Sequence, residues 1–438
     1  MRVVTLAKTP RATGRGDNVV RRPLWEFLIP PSQFGDPDRT GVSARGVRVR
    51  MASGRELLCG TSGLWNVSFG YGHPAVTSAI ADELQRASYF GLFRGSNVMA
   101  ERAADELIRV CGPAYYERVL FATSGSAAND LVMKVARTVS RLRGDGSRNL
   151  VVGLRGSYHG QTYGALSMSG QDLGQMAAGA DRRYVRHVDP FDGGTQLQQL
   201  CEVEGDRISV LILEPVLGTG AQTVPPDFIA LVGQLADHYQ FQVAADEVAT
   251  GLFRTGPFRA STNWARQPDF VLLSKALTNG TCAASAIVAS KGVAEIFDLH
   301  DAELLHGETQ AGTSVSAAAM LATLEVAQAV AESGNPARVS AALDARLRTL
   351  QRDSGLPLVL SGLGCFRGVS VAQGAGIRVT PDQVTDLVCG VRQAGGLIQP
   401  APAGFQLVPS LTYESGDLEQ LLDSVAEAMH AWQSDLIR

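Results

Sequence analysis

Two stretches decide how this chain reads: Phe241-Gln242-Val243-Ala244-Ala245-Asp246-Glu247 and Phe270-Val271-Leu272-Leu273-Ser274-Lys275. Each is a short continuous apolar run that ends on charged side chains. Apolar residues that run on without alternating mark strands buried on both faces, hence a parallel sheet covered by helices. Arg118–Ala122, Asn149–Leu154, Ile208–Leu213 and Ser285–Ala289 share this texture. Helical patterns lie between the runs. Ala127–Val139 places Leu131, Val135 and Val139 on one face, and Asp227–Tyr239 follows Pro225-Pro226 with Asp227 as its expected N-cap. The fold class is α/β.

Outward from this centre the texture changes. An Ala-rich helix, Val315–Glu332, leads away from the sheet. Short strands at Pro357–Ser361 and Phe366–Ala372 and a helix near Pro381–Ala394 follow it. Near the other end, Val47–Leu58 reads as a hairpin turning at Ala52-Ser53-Gly54. The expected architecture is a large, mainly parallel-sheet domain (residues 69–330) and a smaller α+β domain built from both chain ends (23–68 and 331–438). Residues 1–22, with six basic side chains, one acid and no apolar h-region, read as a mobile arm rather than a secretory signal.

Composition narrows the function. Apolar residues make up 45% of the 438, charged residues 19%, and Gly alone counts 47, which excludes disorder, collagen and coiled coil. A net charge of −4 argues for no nucleic-acid or membrane surface. No apolar run reaches the roughly 18 residues of a membrane helix. The six cysteines form no Cys-x-x-Cys pair, and the seven histidines form no His-Glu-x-x-His, so no metal site is expected and a reduced, cytoplasmic protein is.

In a parallel α/β sheet, ligands bind outside the carboxyl ends of the strands. Thr123-Ser124-Gly125-Ser126 follows the first run, Gly156-Ser157-Tyr158-His159-Gly160 the second, Glu214-Pro215 the third, Asp246-Glu247 the fourth and Ser274-Lys275 the fifth. Singly, each has a bland reading. Ser124-Gly125-Ser126 suits a phosphate or an ordinary N-cap. Asp246 suits a cofactor or a structural ion pair, and Tyr158 a stacked ring or the core. His159 suits a satisfied core histidine. Lys275 is the most telling, because the chain holds 35 arginines but only four lysines, the others being Lys8, Lys134 and Lys291. A Schiff-base lysine at a strand end, an acid for a pyridinium nitrogen, a helix start for a phosphate and an aromatic for a ring together describe a pyridoxal phosphate site.

Over about Gly46–Tyr413 the sequence resembles the class III, fold-type I pyridoxal phosphate aminotransferases. The residues that carry the resemblance are Ser62-Gly63-Leu64-Trp65-Asn66-Val67, Gly70-Tyr71-Gly72-His73-Pro74, Thr123–Asp130, Ser157-Tyr158-His159-Gly160, Glu214-Pro215-Val216 and Asp246-Glu247-Val248. Arg254-Thr255-Gly256, Ser274-Lys275-Ala276-Leu277 and His306-Gly307-Glu308-Thr309 continue it. The resemblance implies that Lys275 forms the Schiff base and shuttles a proton, that Asp246 pairs with the pyridinium nitrogen, and that Val248 packs on the ring face opposite Tyr158. It implies Gly125 and Ser126 at the phosphate, and Thr309 reaching the phosphate of a neighbouring subunit in a homodimer. Trp65 resembles the pocket tryptophan of the ω-transaminase branch.

Departures bear on substrate. Gln406 stands where many relatives that use α-amino acids carry a carboxylate-binding arginine; Arg94 or Arg367 is the alternative donor for that role. The expected reaction passes an amino group from a small-molecule donor to a ketone or aldehyde without an α-carboxylate. The SGLWNV and YGHP segments also resemble aminotransferases of daptide-type ribosomal peptide pathways, which implies a modified peptide C-terminus as acceptor. An ω-amino acid or diamine transaminase, or an aminomutase, is the alternative within the family. A nicotinamide dehydrogenase would rest on the glycine run Gly362–Gly368, and a non-catalytic binding module is opposed by Lys275, Asp246 and Thr309 together.

Overall fold

The computed structural model describes residues 22–372 and 376–437. The arm expected over residues 1–22 lies outside the described residues except for Arg22.

Seven strands form the central sheet, in the order Tyr116–Ala122, Ser285–Ser290, Phe270–Leu273, Gln242–Asp246, Ile208–Leu213, Leu150–Leu154, Val185–Val188. All six apolar runs are strands in it. The seventh, Val185–Val188, sits on the edge with three half-exposed residues, so it carries no continuous apolar signal. The direction is not uniform: Ser285–Ser290 is antiparallel to both neighbours, and the other strands run one way. Helices cover the sheet. Gly125–Leu142 buries Leu131, Val135 and Val139 against it. Pro226–Tyr239 is a helix, but its N-cap is Pro225 and makes no side-chain bond. Asp227 stands inside the first turn, where its charge meets the helix dipole without capping a free N–H.

The Ala-rich helix expected over Val315–Glu332 spans Ser314–Glu332. It is 19 residues long, with a mean hydropathy of 1.4 over an 18-residue window, long and apolar enough to cross a membrane by length and composition. It packs against Pro74–Arg86 and Val98–Cys111, and 56% of it is buried inside the protein. Its Ala-rich faces allow that close helix packing, so here it is a core helix.

Both chain ends meet in one small sheet. The Arg48–Met51 and Glu56–Cys59 hairpin pairs, through Leu58 and Cys59, with Gly396–Leu397 in parallel. A second small sheet joins Leu358–Leu363, Phe366–Val371, Gly404–Leu407 and Gln399–Ala401. The glycine run at Gly362–Gly368 is the turn of its first hairpin, with Leu363 paired to Phe366.

Arg254 ties these parts together. It is 1% exposed, and its guanidinium donates to the Pro409 carbonyl and, at 2.7 Å, to Ser68 Oγ. It therefore grips segments from both chain ends. These partners are neutral, and burial pulls its pKa down to about 10. Arg254→Ala strands those acceptors in a dry interior and opens a cavity. We expect it to lower stability by about 3–5 kcal/mol. A urea unfolding curve overlaying that of the wild type would overturn this account.

Candidate active site

Strand register assembles the site. Ala245 pairs with Leu213 and Asp246 with Leu272 in parallel ladders. Glu214, Asp246 and Lys275 therefore leave the sheet at one rim. The reversed strand starts at that same rim, with Ser285 opposite Ala122, and brings Cys282 and Ala284 to it. These residues, with Gly125, Ser126, Tyr158 and Val248, line a cavity of about 410 Å³.

Asp246 is 3% exposed. Its Oδ2 accepts from His159 Nδ1 at 2.8 Å and from Asn129 Nδ2 at 2.9 Å, and its Oδ1 accepts from the Val248 N–H at 3.1 Å. Burial alone would raise this carboxyl. The bond and charge of His159, the bond from Asn129 and the charge of Lys275 more than offset it and hold the carboxyl below its ordinary value. His159 shows the reciprocal effect. Burial pulls its imidazole down, but the bond and charge of Asp246 and the charge of Glu214 win, and its pKa rises.

Lys275 follows the Phe270–Leu273 strand in a left-handed conformation, φ 44°. Such a residue costs on the order of 1–3 kcal/mol and persists where its surroundings demand it. Ser274 anchors it through Oγ to the Ala284 carbonyl at 2.9 Å. Burial lowers the Lys275 ammonium pKa against the opposing pull of Asp246 and Glu214, which favours the neutral, nucleophilic amine. Its Nζ stands 4.6 Å from the centre of the Trp65 ring.

The Gly125–Leu142 helix starts at the cavity. Ser124 Oγ accepts from the Ala127 N–H at 3.1 Å and so acts as the N-cap. Gly125 and Ser126 follow it in the first turn, where N–H groups and the helix dipole favour an anion. Gly160 closes tightly over this turn. Its φ is 129°, and a Cβ there would stand 2.0 Å from Ser126 Oγ, so only glycine fits. An acid at one end, a helix start at the other, Tyr158 and Val248 along the walls and a destabilised ammonium between them fit a flat, phosphate-bearing aldehyde ring.

Trp65, Gln406, Arg94 and Thr309 are not among the residues that line the cavity, although Trp65 stands beside Lys275. Gln406 is 2% exposed, and its Nε2 donates to the Gly218 carbonyl at 2.7 Å. Arg94 and Thr309 are exposed and outside the cavity, and the Thr309 carbonyl accepts from the Tyr89 hydroxyl at 2.8 Å. Three residues at the site carry no decisive signal in the sequence: His159 reads as a core histidine, Asn129 stands within the Thr123–Asp130 motif without a role of its own, and Glu214 reads as a strand end. Asn129 had one signal: an amide on the inner face of an otherwise apolar helix.

The chain is also similar to known proteins in sequence and in fold. The family model for class-III aminotransferases matches residues 37–429. An ω-aminotransferase of Caulobacter vibrioides is 29% identical over 326 residues, 69% of this chain and 74% of its own. A taurine–pyruvate aminotransferase of Rhodobacter capsulatus is 31% identical over 385 residues, 80% of this chain and 81% of its own. The crystal structure of an amine transaminase from an uncultivated Pseudomonas species, in its PLP-bound form, has a TM-score of 0.86 over 94% of this chain and 99% of that one. At 24% identity it speaks for the fold.

The Asp246 environment yields a pH prediction. Replacing His159 by Phe removes the strongest donor to the carboxylate, so the Asp246 pKa rises. The acidic limb of kcat/KM should then move up by about one pH unit. An unmoved limb would show that His159 does not set the ionisation of Asp246.

Proposed function

This chain belongs to the class III aminotransferases and uses pyridoxal phosphate, and we propose that it aminates a ketone or aldehyde lacking an α-carboxylate. The amino group comes from a small-molecule donor. In this reading the acceptor is a modified C-terminus of a ribosomal peptide natural product, and the protein works as a cytoplasmic homodimer with shared active sites. The observation that supports it is the charge of the cavity. Among the described lining residues Lys275 is the one lysine or arginine, and it faces two carboxylates, Asp246 and Glu214. A substrate carboxylate would enter without a guanidinium to receive it.

The cofactor supplies an aldehyde that takes up the amino group and a ring that draws electrons from the substrate carbon. The protein's share is assigned to the residues above. Gly125 and Ser126 bind the phosphate, with Thr309 of a second subunit added from outside. Asp246, kept ionised by His159 and Asn129, holds a proton at the ring nitrogen. Tyr158 and Val248 orient the ring. Lys275 takes a proton from the substrate carbon and returns it on the far side of the transfer. Trp65, beside Lys275, shapes the substrate end.

A second reading, an ω-amino acid or diamine transaminase with a 2-oxo acid acceptor, or an aminomutase, is favoured in its transaminase form by the names of the Caulobacter ω-aminotransferase and the Rhodobacter taurine–pyruvate aminotransferase. Steady-state kcat/KM for a peptide ketone against 2-oxoglutarate separates the two. We expect the ketone to win by about tenfold or more, the scale of one charge-assisted contact; preference for 2-oxoglutarate would establish the second reading instead.

The assignment of Lys275 has its own test. Lys275→Ala should abolish turnover while still binding the cofactor without a covalent link. Borohydride reduction and peptide mapping of the wild type should place the pyridoxyl group on Lys275. Finding it on Lys134, which is exposed on a helix and bonded to His306 Nδ1, or on Lys291 would sink the assignment.

A further inference from the structure

Glu308 joins two parts of the protein that the roles above treat apart. It precedes Thr309 in the loop between the Lys291–Leu299 and Ser314–Glu332 helices, and its side chain is 19% exposed. Its Oε2 accepts twice from Thr123, from the backbone N–H at 3.0 Å and from Oγ1 at 2.5 Å. Thr123 lines the cavity and stands one residue before Ser124, the N-cap of the Gly125–Leu142 helix. One carboxylate oxygen thus fastens the loop to the head of the turn that holds Gly125 and Ser126. Hydrogen bonds to an ionised acceptor are roughly twice as strong as neutral ones, so the fastening is firm.

The same helix holds the loop a second time. Lys134 Nζ lies 3.2 Å from His306 Nδ1 and 3.4 Å from the Leu305 carbonyl. An ammonium can only donate, so Nδ1 accepts and the imidazole proton sits on Nε2. That Nε2 stands 3.5 Å from Glu308 Oε1. Both atoms are buried and have no hydrogen-bond partner among the described residues, so a small closure of the loop would join them. Farther along, the Thr309 carbonyl accepts from the Tyr89 hydroxyl at 2.8 Å and the Gly312 carbonyl from Asn97 Nδ2 at 2.9 Å. Thr309 itself is exposed. The loop therefore presents Thr309 outward while Glu308 keeps its base on the phosphate turn.

We propose that Glu308 is a positioning residue of the cofactor site: it locks the Thr309 loop to the phosphate turn, so that an anion seated on the turn and the placement of Thr309 favour one another. The link is reciprocal, since whatever steadies the turn steadies the loop and the reverse. Service of Thr309 to the phosphate of a neighbouring subunit rests on the homodimer reading above. The link between loop and turn within one chain does not.

Cofactor retention and amide hydrogen exchange of the holoenzyme test this. Glu308→Ala should lose the cofactor on dialysis about tenfold more readily, the scale of one bond to a charged group. Glu308→Gln, whose amide oxygen can still accept from Thr123, should lose it less readily than Glu308→Ala. Thr123→Val removes the hydroxyl alone, at the other end of the link. It should speed exchange of residues 305–309, as Glu308→Ala should speed exchange of residues 123–126, with the central strands unchanged. Wild-type retention in Glu308→Ala would overturn the proposal. So would faster exchange spread evenly over the chain, which is what a merely structural loss predicts. If Glu308→Ala failed to fold, wild-type exchange of residues 305–309 in Thr123→Val would overturn it instead. Sedimentation of wild type is a separate readout. A monomer would remove the homodimer reading, while the Thr123→Val result would still decide whether loop and turn are linked.

Discussion

The structure turns on keeping one buried carboxylate ionised. Asp246 ends a strand in the middle of the sheet, where an isolated charge would cost several kcal/mol and would take up a proton instead. In the proposed role, neutrality would leave the ring nitrogen of the cofactor without its counter-charge. The chain answers with three donors drawn from three places: His159 from the loop after one strand, Asn129 from the first covering helix, and the Val248 N–H from its own turn. Asn129 Nδ2 also bonds the Gly125 and His159 carbonyls, so the group that charges the acid also fixes the helix start and the histidine loop. Ionisation of Asp246 and the shape of the phosphate end are one construction.

Register converts that construction into a reactive centre. A shift of one residue along either parallel ladder would turn Asp246 or Lys275 to the opposite face. Interior packing forbids the shift, since Leu211, Leu213, Ala244, Ala245 and Leu272 are fully buried and have no solvated face to exchange. The stability of the core and the geometry of the site therefore have the same source. Arg254 extends the argument to the chain ends. By holding Pro409 and Ser68 it keeps the small sheets, and with them Gln406 and the Ser62–Trp65 turn, at a fixed distance from the strand ends.

The strand ends were legible because a buried strand has no reason to stop on a charge unless a site lies there. Lys275 and Asp246 stood out for that reason, and the scarcity of lysines sharpened the choice. Partners of the buried acid were not legible. His159 and Asn129 are separated from Asp246 by long stretches of sequence, and nothing local marks a histidine as an ion-pair partner rather than a core residue. The reversed strand Ser285–Ser290 was equally hidden, because an apolar run buried on both faces carries no sign of direction. The bond of Gln406 is hidden for a different reason. The sequence aligns it with a substrate-binding position, and nothing local marks that in the Gly404–Leu407 strand its Nε2 donates to a backbone carbonyl.

Charge arithmetic bounds what the cavity can hold. Among the described lining residues two carboxylates, Asp246 and Glu214, face one ammonium, Lys275. Asp246 is offset by His159, Asn129 and the Val248 N–H, and Glu214 accepts two backbone N–H groups. Two like charges about 4 Å apart repel by about 4 kcal/mol at the effective dielectric of a protein site. A neutral hydrogen bond returns about 1 kcal/mol. A further anion at this end of the cavity therefore needs a cation of its own, and among the described lining residues Lys275 is the one lysine or arginine.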